Sequence, residues 1–518
     1  MNKLYFSFCL FFFVNNTYSQ ISTFNKTYNF GYPAAVILRL IATDSCVYAT
    51  GIVVDSLPPY NSLSLFLKLD FEGNVLIQKA LNTPIEKTYE IWGDFIAASD
   101  GSLLATGYTY DTETTVDRIK TLLIKYSSSG DTLLTNEYIS PFHDFYYNGT
   151  IMEINDTSYL LCNSAYNPIS TNNEIVLLKV NNLGNEIWTS IIFEDKNIPP
   201  GYMRIYDSDF YIMGTGKNNR EQITPSVEYT GKVGFYIIDS VGDVVDGWFS
   251  EDLNLTSVHY FLETADSGYI CTSRIGSQIN YSMNWDGFVF KIDKNFNIEW
   301  SIIYKDTFPE LSTSLGKIIE LSDGTGYLAS GSVFEYLGGV LDTGWNINGW
   351  VVKFTGEGDS LWSRYFHYWN TPHDEHYFSD MEEMPDGGIL LCGQAYSGNV
   401  GTQQQLGWLV KLDKFGCLVP GCQLVATEDI GNPQGVALRL YPNPASDILN
   451  IYTWSLHTPK NALLRIVSGS GQVVRESPVT RSDMTSMIPV RDLAAGVYFV
   501  QYVEGGVVVA VEEAVIAR

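Results

Sequence analysis

Two short patterns alternate along most of this 518-residue chain, and their alternation leaves few folds open. In the first, an apolar run contains a Lys, a turn residue follows five positions later, and a second apolar or Trp-bearing run comes next. The copies are Lys68 with Gly73, Lys125 with Gly130, Lys179 with Gly184, Lys353 with Gly358 and Lys411 with Gly416. One copy has Ile237 in place of the Lys and keeps Gly242; another keeps Lys291 and has Phe296 where the Gly belongs. Four residues past the turn stands Trp188, Trp300 or Trp362, with Ile77 or Leu134 in weaker copies. The six intervals from Lys68 to Lys411 cover 343 residues, a period of about 57. Self-similarity at that scale marks one supersecondary unit per repeat, each unable to bury its apolar face alone.

The second pattern precedes each copy of the first: an Asp-containing turn, then a short apolar run ending in a small residue. The end points are Gly51, Gly107, Asn163, Gly214, Ser273, Gly331 and Gly393. Asp-Gly between apolar runs is a hairpin signal, because Gly accepts the positive φ of a tight turn. A unit is therefore strand, tight turn, strand, variable loop, strand, tight turn, strand. Seven such four-stranded antiparallel units predict an all-β fold, a seven-bladed β-propeller over residues 20–422. Residues 22–30 (STFNKTYNF) occupy a strand position before the first Asp turn, whereas Pro420 and Gly421 spoil a strand after Lys411. The N-terminal strand is thus expected to complete the last blade and remove an exposed edge.

Residues 1–19 read as a signal peptide: Lys3, the apolar stretch LYFSFCLFFFV, and a small-residue exit before Gln20. That stretch is too short to span a bilayer, and no transmembrane segment is expected elsewhere. A formal charge of −27 repels phosphate backbones and argues against nucleic acid as a partner. No motif for a cofactor is present, and a monomer is expected. Cys417 and Cys422 lie in a turn-rich segment of an exported chain, where a local disulfide is the expectation. Cys46, Cys162, Cys271 and Cys392 fall in equivalent strands of different units, too far apart to pair, and read as buried free thiols.

After a Gly- and Pro-punctuated linker over residues 423–437, the character changes. Alternating apolar runs and Gly turns over residues 438–518 predict a small Ig-like β-sandwich. This tail resembles the type A C-terminal sorting domain of the type IX secretion system of Bacteroidetes. The resemblance rests on Tyr441, Pro442, Asn443, Pro444 and Ala445, on residues 469–474, and on the run from Asp492 through Gly496, Val497 and Tyr498. It implies passage across the outer membrane, with the type IX secretion and sorting machinery as partner, and a destination at the cell surface or outside the cell.

Loops held by a rigid scaffold are where function concentrates. The expected binding face therefore carries the variable segments 108–121, 164–174, 215–233, 274–286, 332–349 and 395–407, with the connections between units. Two of those connections stand out: FHDFYY, with His143 and Asp144, and FHYWNTPHDEHYF, with His367, Tyr368, Trp369, His373, Asp374, Glu375 and His376. His367, His373 and His376 are weak metal candidates, since His373 and His376 would share a face only on a helix. The expectation is no bound metal. Trp345, Tyr368 and Trp369 offer flat rings with polar tips, suited to stacking on a sugar or to packing. No nucleophile elbow, phosphate loop or zinc-protease helix appears, so no catalytic residue is singled out. The favoured reading is a non-catalytic module for a glycan or protein ligand; the alternative is a hydrolase or lyase on the same face, with or without the help of a metal.

Overall fold

The computed structural model describes residues 22–517 apart from 57–59, 82–86, 112–118, 141–144, 168, 170–171, 193–201, 208, 224–225, 252–254, 256, 280–281, 305–312, 337–344, 370, 399–403, 420–435, 456–458 and 469–470. The leader, His143, Asp144, Cys422 and most of the linker lie outside the described residues. Among the described residues every regular element is a β-strand.

Following β1 (Phe24–Tyr28), strands come in antiparallel sets, each ordered as in the sequence. The first set is β2 (Ala34–Ala42), β3 (Val47–Val54), β4 (Ser62–Leu69) and β5 (Val75–Ala80). The second has a broken inner strand, β6 (Lys87–Glu90) and β7 (Phe95–Ala97), then β8 (Leu103–Asp111), β9 (Ile119–Tyr126) and β10 (Thr132–Tyr138). Next are β11 (Phe145–Asn155), β12 (Ser158–Asn167), β13 (Asn172–Asn181) and β14 (Glu186–Ile192), followed by β15 (Met203–Asp207), β16 (Phe210–Ile223), β17 (Ser226–Asp239) and β18 (Val244–Phe249). Then come β19 (Tyr260–Glu263), β20 (Tyr269–Ile279), β21 (Ser282–Ile292) and β22 (Ile298–Tyr304), and β23 (Thr313–Glu320), β24 (Tyr327–Tyr336), β25 (Trp345–Phe354) and β26 (Ser360–Phe366). In the last set, β27 (Glu375–Glu383), β28 (Ile389–Ser397) and β29 (Gln404–Leu412), the outer place is taken by β1. Its register runs from Phe24 opposite Lys411 to Tyr28 opposite Gly407, so β1 covers the outer edge of β29.

The two sequence patterns meet inside a set. The Lys of the third strand reaches the Asp of the first turn: Lys125 to Asp100 at 2.7 Å, Lys411 to Asp386 at 2.6 Å, and likewise Lys291 to Asp266. The turn residue of the first pattern has positive φ in every copy, including Phe296 at 64°. A bulky residue in that region is uncommon, and Phe296 has ring partners there, lying on Trp248 with centroids 6.2 Å apart.

Each such turn also meets the set before it. A Cβ on Gly242 would stand 2.7 Å from Trp188, one on Gly358 2.9 Å from Trp300, and one on Gly416 2.4 Å from Trp362. The Trp of one repeat therefore packs on the turn glycine of the next, where only the absence of a side chain makes room. At the start of the chain, Gly73 meets Phe24 and Tyr28 of β1 in the same way. Buried apolar clusters follow the same rule, each drawing on two consecutive sets. One combines Leu65 and Leu67 of the first set with Cys392 and Leu409 of the last. Cys46, Cys162, Cys271 and Cys392 are buried free thiols.

Two stretches read as loops are strands instead. Residues 215–233 and 274–286 continue β16–β17 and β20–β21 as long hairpins, paired from Thr215 opposite Gly234 out to Ile223 opposite Ser226, and from Arg274 opposite Gly287 out to Ile279 opposite Ser282. Backbone groups in an extended hairpin satisfy one another, which a polar, Gly-containing composition does not advertise.

The tail forms two antiparallel sheets around one buried cluster that includes Leu449, Ile451, Leu464, Val500 and Ala514. One sheet is β30 (Val436–Tyr441), β31 (Ile448–Ser455) and β34 (Asp483–Pro489); the other is β33 (Val473–Val479), β32 (Ala462–Ser468), β35 (Gly496–Glu504) and β36 (Val507–Ile516). Strand β30 starts inside the expected linker. The motif residues clamp the final strand: the Asn443 amide donates to the Glu513 carbonyl at 2.8 Å and its oxygen accepts from the Val515 N–H at 2.7 Å. Tyr498 donates its hydroxyl to the Ala494 carbonyl at 2.9 Å, and Arg475 forks onto the Asp492 carboxylate.

Candidate functional site

The small residue that ends the second pattern has a structural reason. A Cβ on Gly51 would lie 2.0 Å from the Val36 carbonyl oxygen, one on Gly107 1.9 Å from that of Glu90, and one on Gly331 or Gly393 1.7 Å from Ser314 or Tyr377. These carbonyls belong to inner strands that carry an extra residue at that level. The pairing slips between Ile37 and Arg39, between Leu315 and Ile318, and between Phe378 and Asp380, and the second set breaks between β6 and β7. A bulge bends its strand and re-aims the side chain that follows. The residues at or just after the irregularities are Arg39, Asp94, Lys317 and Asp380, all of them charged.

They converge on a pocket of about 460 Å³ lined by Arg39, Thr150, Tyr202, His259, Tyr260, Arg274, Lys317, Tyr377 and the serines Ser257, Ser314, Ser332 and Ser379. Most of these lie at or near the loop-side end of the inner strands. Arg39 Nε stands 3.7 Å from Asp94. Lys317 reaches Asp380 at 3.0 Å and Glu382 at 3.5 Å, with its ammonium 4.8 Å from the centre of the Tyr260 ring. Arg204 covers the same ring, its guanidinium carbon 5.3 Å from the centre, and donates to the Tyr260 hydroxyl at 2.9 Å. Asp380 accepts from the Leu40 N–H of the first set at 2.9 Å, which ties the last set to the first. Arg274 donates from Nε to the Ser314 hydroxyl at 2.7 Å.

The electrostatics are those of charges held out of water. Burial opposes the charge on Lys317, yet Asp380, Tyr260 and Glu382 outweigh it and hold its pKa well above the ordinary value. Burial pushes Glu382 up to about 7 and also raises Asp94. Burial lowers Arg274, and burial with the nearby Arg274 charge drops His259 to about 4. His259 Nδ1 lies 2.9 Å from the Leu315 carbonyl; in the neutral ring this places the proton on Nδ1.

The loop candidates occupy a different place. His376 is fully buried in β27, its ring 5.3 Å from Trp408 and 6.3 Å from Trp369. Its Nδ1 donates to the Ile347 carbonyl at 3.1 Å while Nε2 accepts from the Trp369 N–H at 3.2 Å, so both nitrogens are taken by backbone. As a metal candidate His376 is corrected to a packing residue, and burial lowers it to about 4. Among the described residues no group of three His, Cys, Asp or Glu is placed to hold a metal ion. Asp374 is buried, with Oδ2 accepting from the N–H and hydroxyl of Thr371. The His373 backbone packs on Gly398, the His367 carbonyl accepts from Asn25, and His367 meets His376 edge-on at 6.4 Å. Tyr368 is exposed and lies edge-on to Trp369, which packs into a core cluster; Trp345 begins β25. Among the described residues, none of these lines the pocket. Of the segments expected to form the binding face, two contribute to it, through Arg274 and Ser332. Cys417 is buried, and its expected partner Cys422 is outside the described residues.

Residues 439–516 match the family described as secretion system C-terminal sorting domain. The tail is thus a type IX sorting domain of the kind found in Bacteroidetes, and it directs the chain to the cell surface or the extracellular space. No curated protein matches the chain. Among solved structures, the β-propeller domain of the trilobed protease from Pyrococcus furiosus is similar at 9% identity and TM-score 0.39, covering 74% of this chain and 96% of that one. An α-L-arabinanase of Penicillium chrysogenum gives 9% identity and 0.39 over 76% and 99%, and an α-L-arabinofuranosidase of Fusarium graminearum gives 11% and 0.36 over 75% and 98%. No activity transfers to this chain from likenesses of that degree.

Proposed function

We propose that residues 20–422 form a closed seven-bladed β-propeller that binds a ligand, without transforming it, in the pocket where the inner strands converge. Behind a leader over residues 1–19 and joined through residues 423–437 to an Ig-like sandwich over residues 438–518, it is exported by the type IX machinery. Support for the ring comes from the contacts that recur from each set to the next and return, through β1 and the Asp380–Leu40 bond, from the last set to the first. The observation that carries the binding role is the pocket itself: a concave site of about 460 Å³ with convergent polar groups on rigid strands. A Cys417–Cys422 disulfide would staple the end of the last set, and the protein acts as a monomer.

A glycan array with the purified full-length chain, followed by calorimetry on the hits, tests the reading. Saturable binding with the ligand recovered intact, and lost in Tyr202→Ala, is the expected result. Recovery of a shortened ligand would instead favour a second reading, a hydrolase or lyase. That alternative has its own motive: burial pushes Glu382 up to about 7, where a carboxyl suits a general acid, and raises Asp94 in the same direction. Cleavage abolished by Glu382→Gln or Asp94→Asn would establish it.

A further inference from the structure

We infer that the central pocket recognises the carboxylate of an acidic sugar, a uronic-acid-type residue, and that Arg274 is the group that grips it. The inference rests on the pocket being the binding site.

The chain carries a formal charge of −27, yet Arg39, Arg274 and Lys317 line this pocket and, among the described residues, no Asp or Glu does. Arg39, Arg204 and Lys317 each have a carboxyl group beside them: Arg39 and Arg204 face Asp94, and Lys317 reaches Asp380 and Glu382. Arg274 stands apart. Its Nε is anchored on Ser314, and no carboxylate among the described residues lies within ion-pair distance of it. Partial burial lowers its pKa, as it does for a cation with no carboxylate near enough to offset the loss of water.

A half-buried cation without a counter-ion is held at a cost, and an incoming anion relieves that cost while gaining charge-assisted hydrogen bonds. A single guanidinium with no carboxylate beside it suits a monoanion. A guanidinium fork matches the two oxygens of a carboxylate, whereas a phosphate dianion would bring an excess of negative charge. The remaining lining is rich in hydroxyls, from Ser257, Ser332, Ser379 and Tyr377, which suits the hydroxyls of a sugar ring more than an aliphatic acid.

The test is calorimetry of the full-length protein at fixed salt with trimers of galacturonate, glucuronate and mannuronate, each acid against its methyl ester. Sulfated galactose trimers and triglutamate serve as further probes. The expected result is that at least one uronate trimer binds at least tenfold more tightly than its ester. Arg274→Gln should weaken that trimer by on the order of tenfold to a hundredfold, with Arg274→Lys in between. Ser314→Ala, which keeps the charge and loosens the fork, should weaken it a few-fold and serves if Arg274→Gln does not fold. Equal binding of acid and ester, preference for the sulfated trimer or the peptide, unchanged affinity in these variants, or no binding of any uronate would each overturn the inference. Equal binding of acid and ester leaves the glycan-binding reading standing, whereas a chain that also fails on the glycan array sinks both.

Discussion

Acidification should loosen this protein through His376, and the size of the effect follows from where the ring sits. Fully buried, with Nδ1 on the Ile347 carbonyl and Nε2 taken by the Trp369 N–H, the ring has no position for a second proton without losing a hydrogen bond. Its pKa is lowered to about 4 from the model-compound value of 6.5. Below pH 6.5 the unfolded chain takes up this proton while the native ring does not. Stability is therefore lost as pH falls from 6.5 towards 4, with slope set by the difference in bound protons. Between pH 7 and pH 5 the loss from this one residue is about 2 kcal/mol. His259, also lowered to about 4, acts in the same direction, while Asp94 and Glu382 act in the opposite one, but all three are common to wild type and variant. Urea unfolding followed by Trp fluorescence at both pH values isolates the term as a double difference. His376→Asn should be less stable at pH 7, through the lost Nε2 contact, and should lose about 2 kcal/mol less than wild type on going to pH 5. An identical pH 7 to pH 5 loss in both proteins, or a measured His376 pKa near 6.5, would refute the assignment of a neutral buried ring.

Glu382→Gln should make the protein more sensitive to acid. The native carboxyl, pushed up to about 7, takes its proton before the unfolded one and so supports the fold as pH drops from 7 to 4.5; equilibrium unfolding at pH 7 and 5 reads the change. Gly393→Ala places a methyl 1.7 Å from the Tyr377 carbonyl, so the bulge has to shift; a loss of about 3 kcal/mol in urea unfolding is expected, against near-neutral substitution at Gly356, where a Cβ meets nothing within 4 Å. Trp362→Ala removes the ring that covers Gly416 and lies under Arg364, and should lower stability by about 2 kcal/mol with a matching drop in the urea midpoint. In the tail, Asn443→Ala deletes both clamps on the last strand, at a cost of about 2 kcal/mol, and the fraction of the protein reaching the culture medium or cell surface should fall with it.

Some of this was written in local chemistry. The Lys, Gly and Trp of the repeat act through tight turns and neighbour packing, each set by a handful of adjacent residues, so the strand order and the closing role of residues 22–30 could be read directly. The glycines ending the second pattern were equally visible, but their reason was not: Gly331 is small because of the Ser314 carbonyl, seventeen positions earlier, and the contact exists only once the inner strand bulges. The pocket was missed for the same cause. Its signal was faint, a single charge in an apolar strand a dozen or so residues before the pattern glycine, as with Arg39 in AAVILRLIA and Lys317 in SLGKIIE. The His cluster drew attention because its members are adjacent in sequence, whereas the structure buries His376 and sets the cluster apart from the pocket.

Taken alone, the order of residues determined an all-β repeat, the pairing of its first strand with its last set and the export tail, because hydrophobic periodicity, turn chemistry and a contiguous motif are properties of neighbours along the chain. Only the tertiary structure decided that Arg39, Asp94, Arg274, Lys317 and Asp380 belong to one site. They lie up to 341 positions apart, and their charges acquire meaning when the inner strands bring them together half out of water.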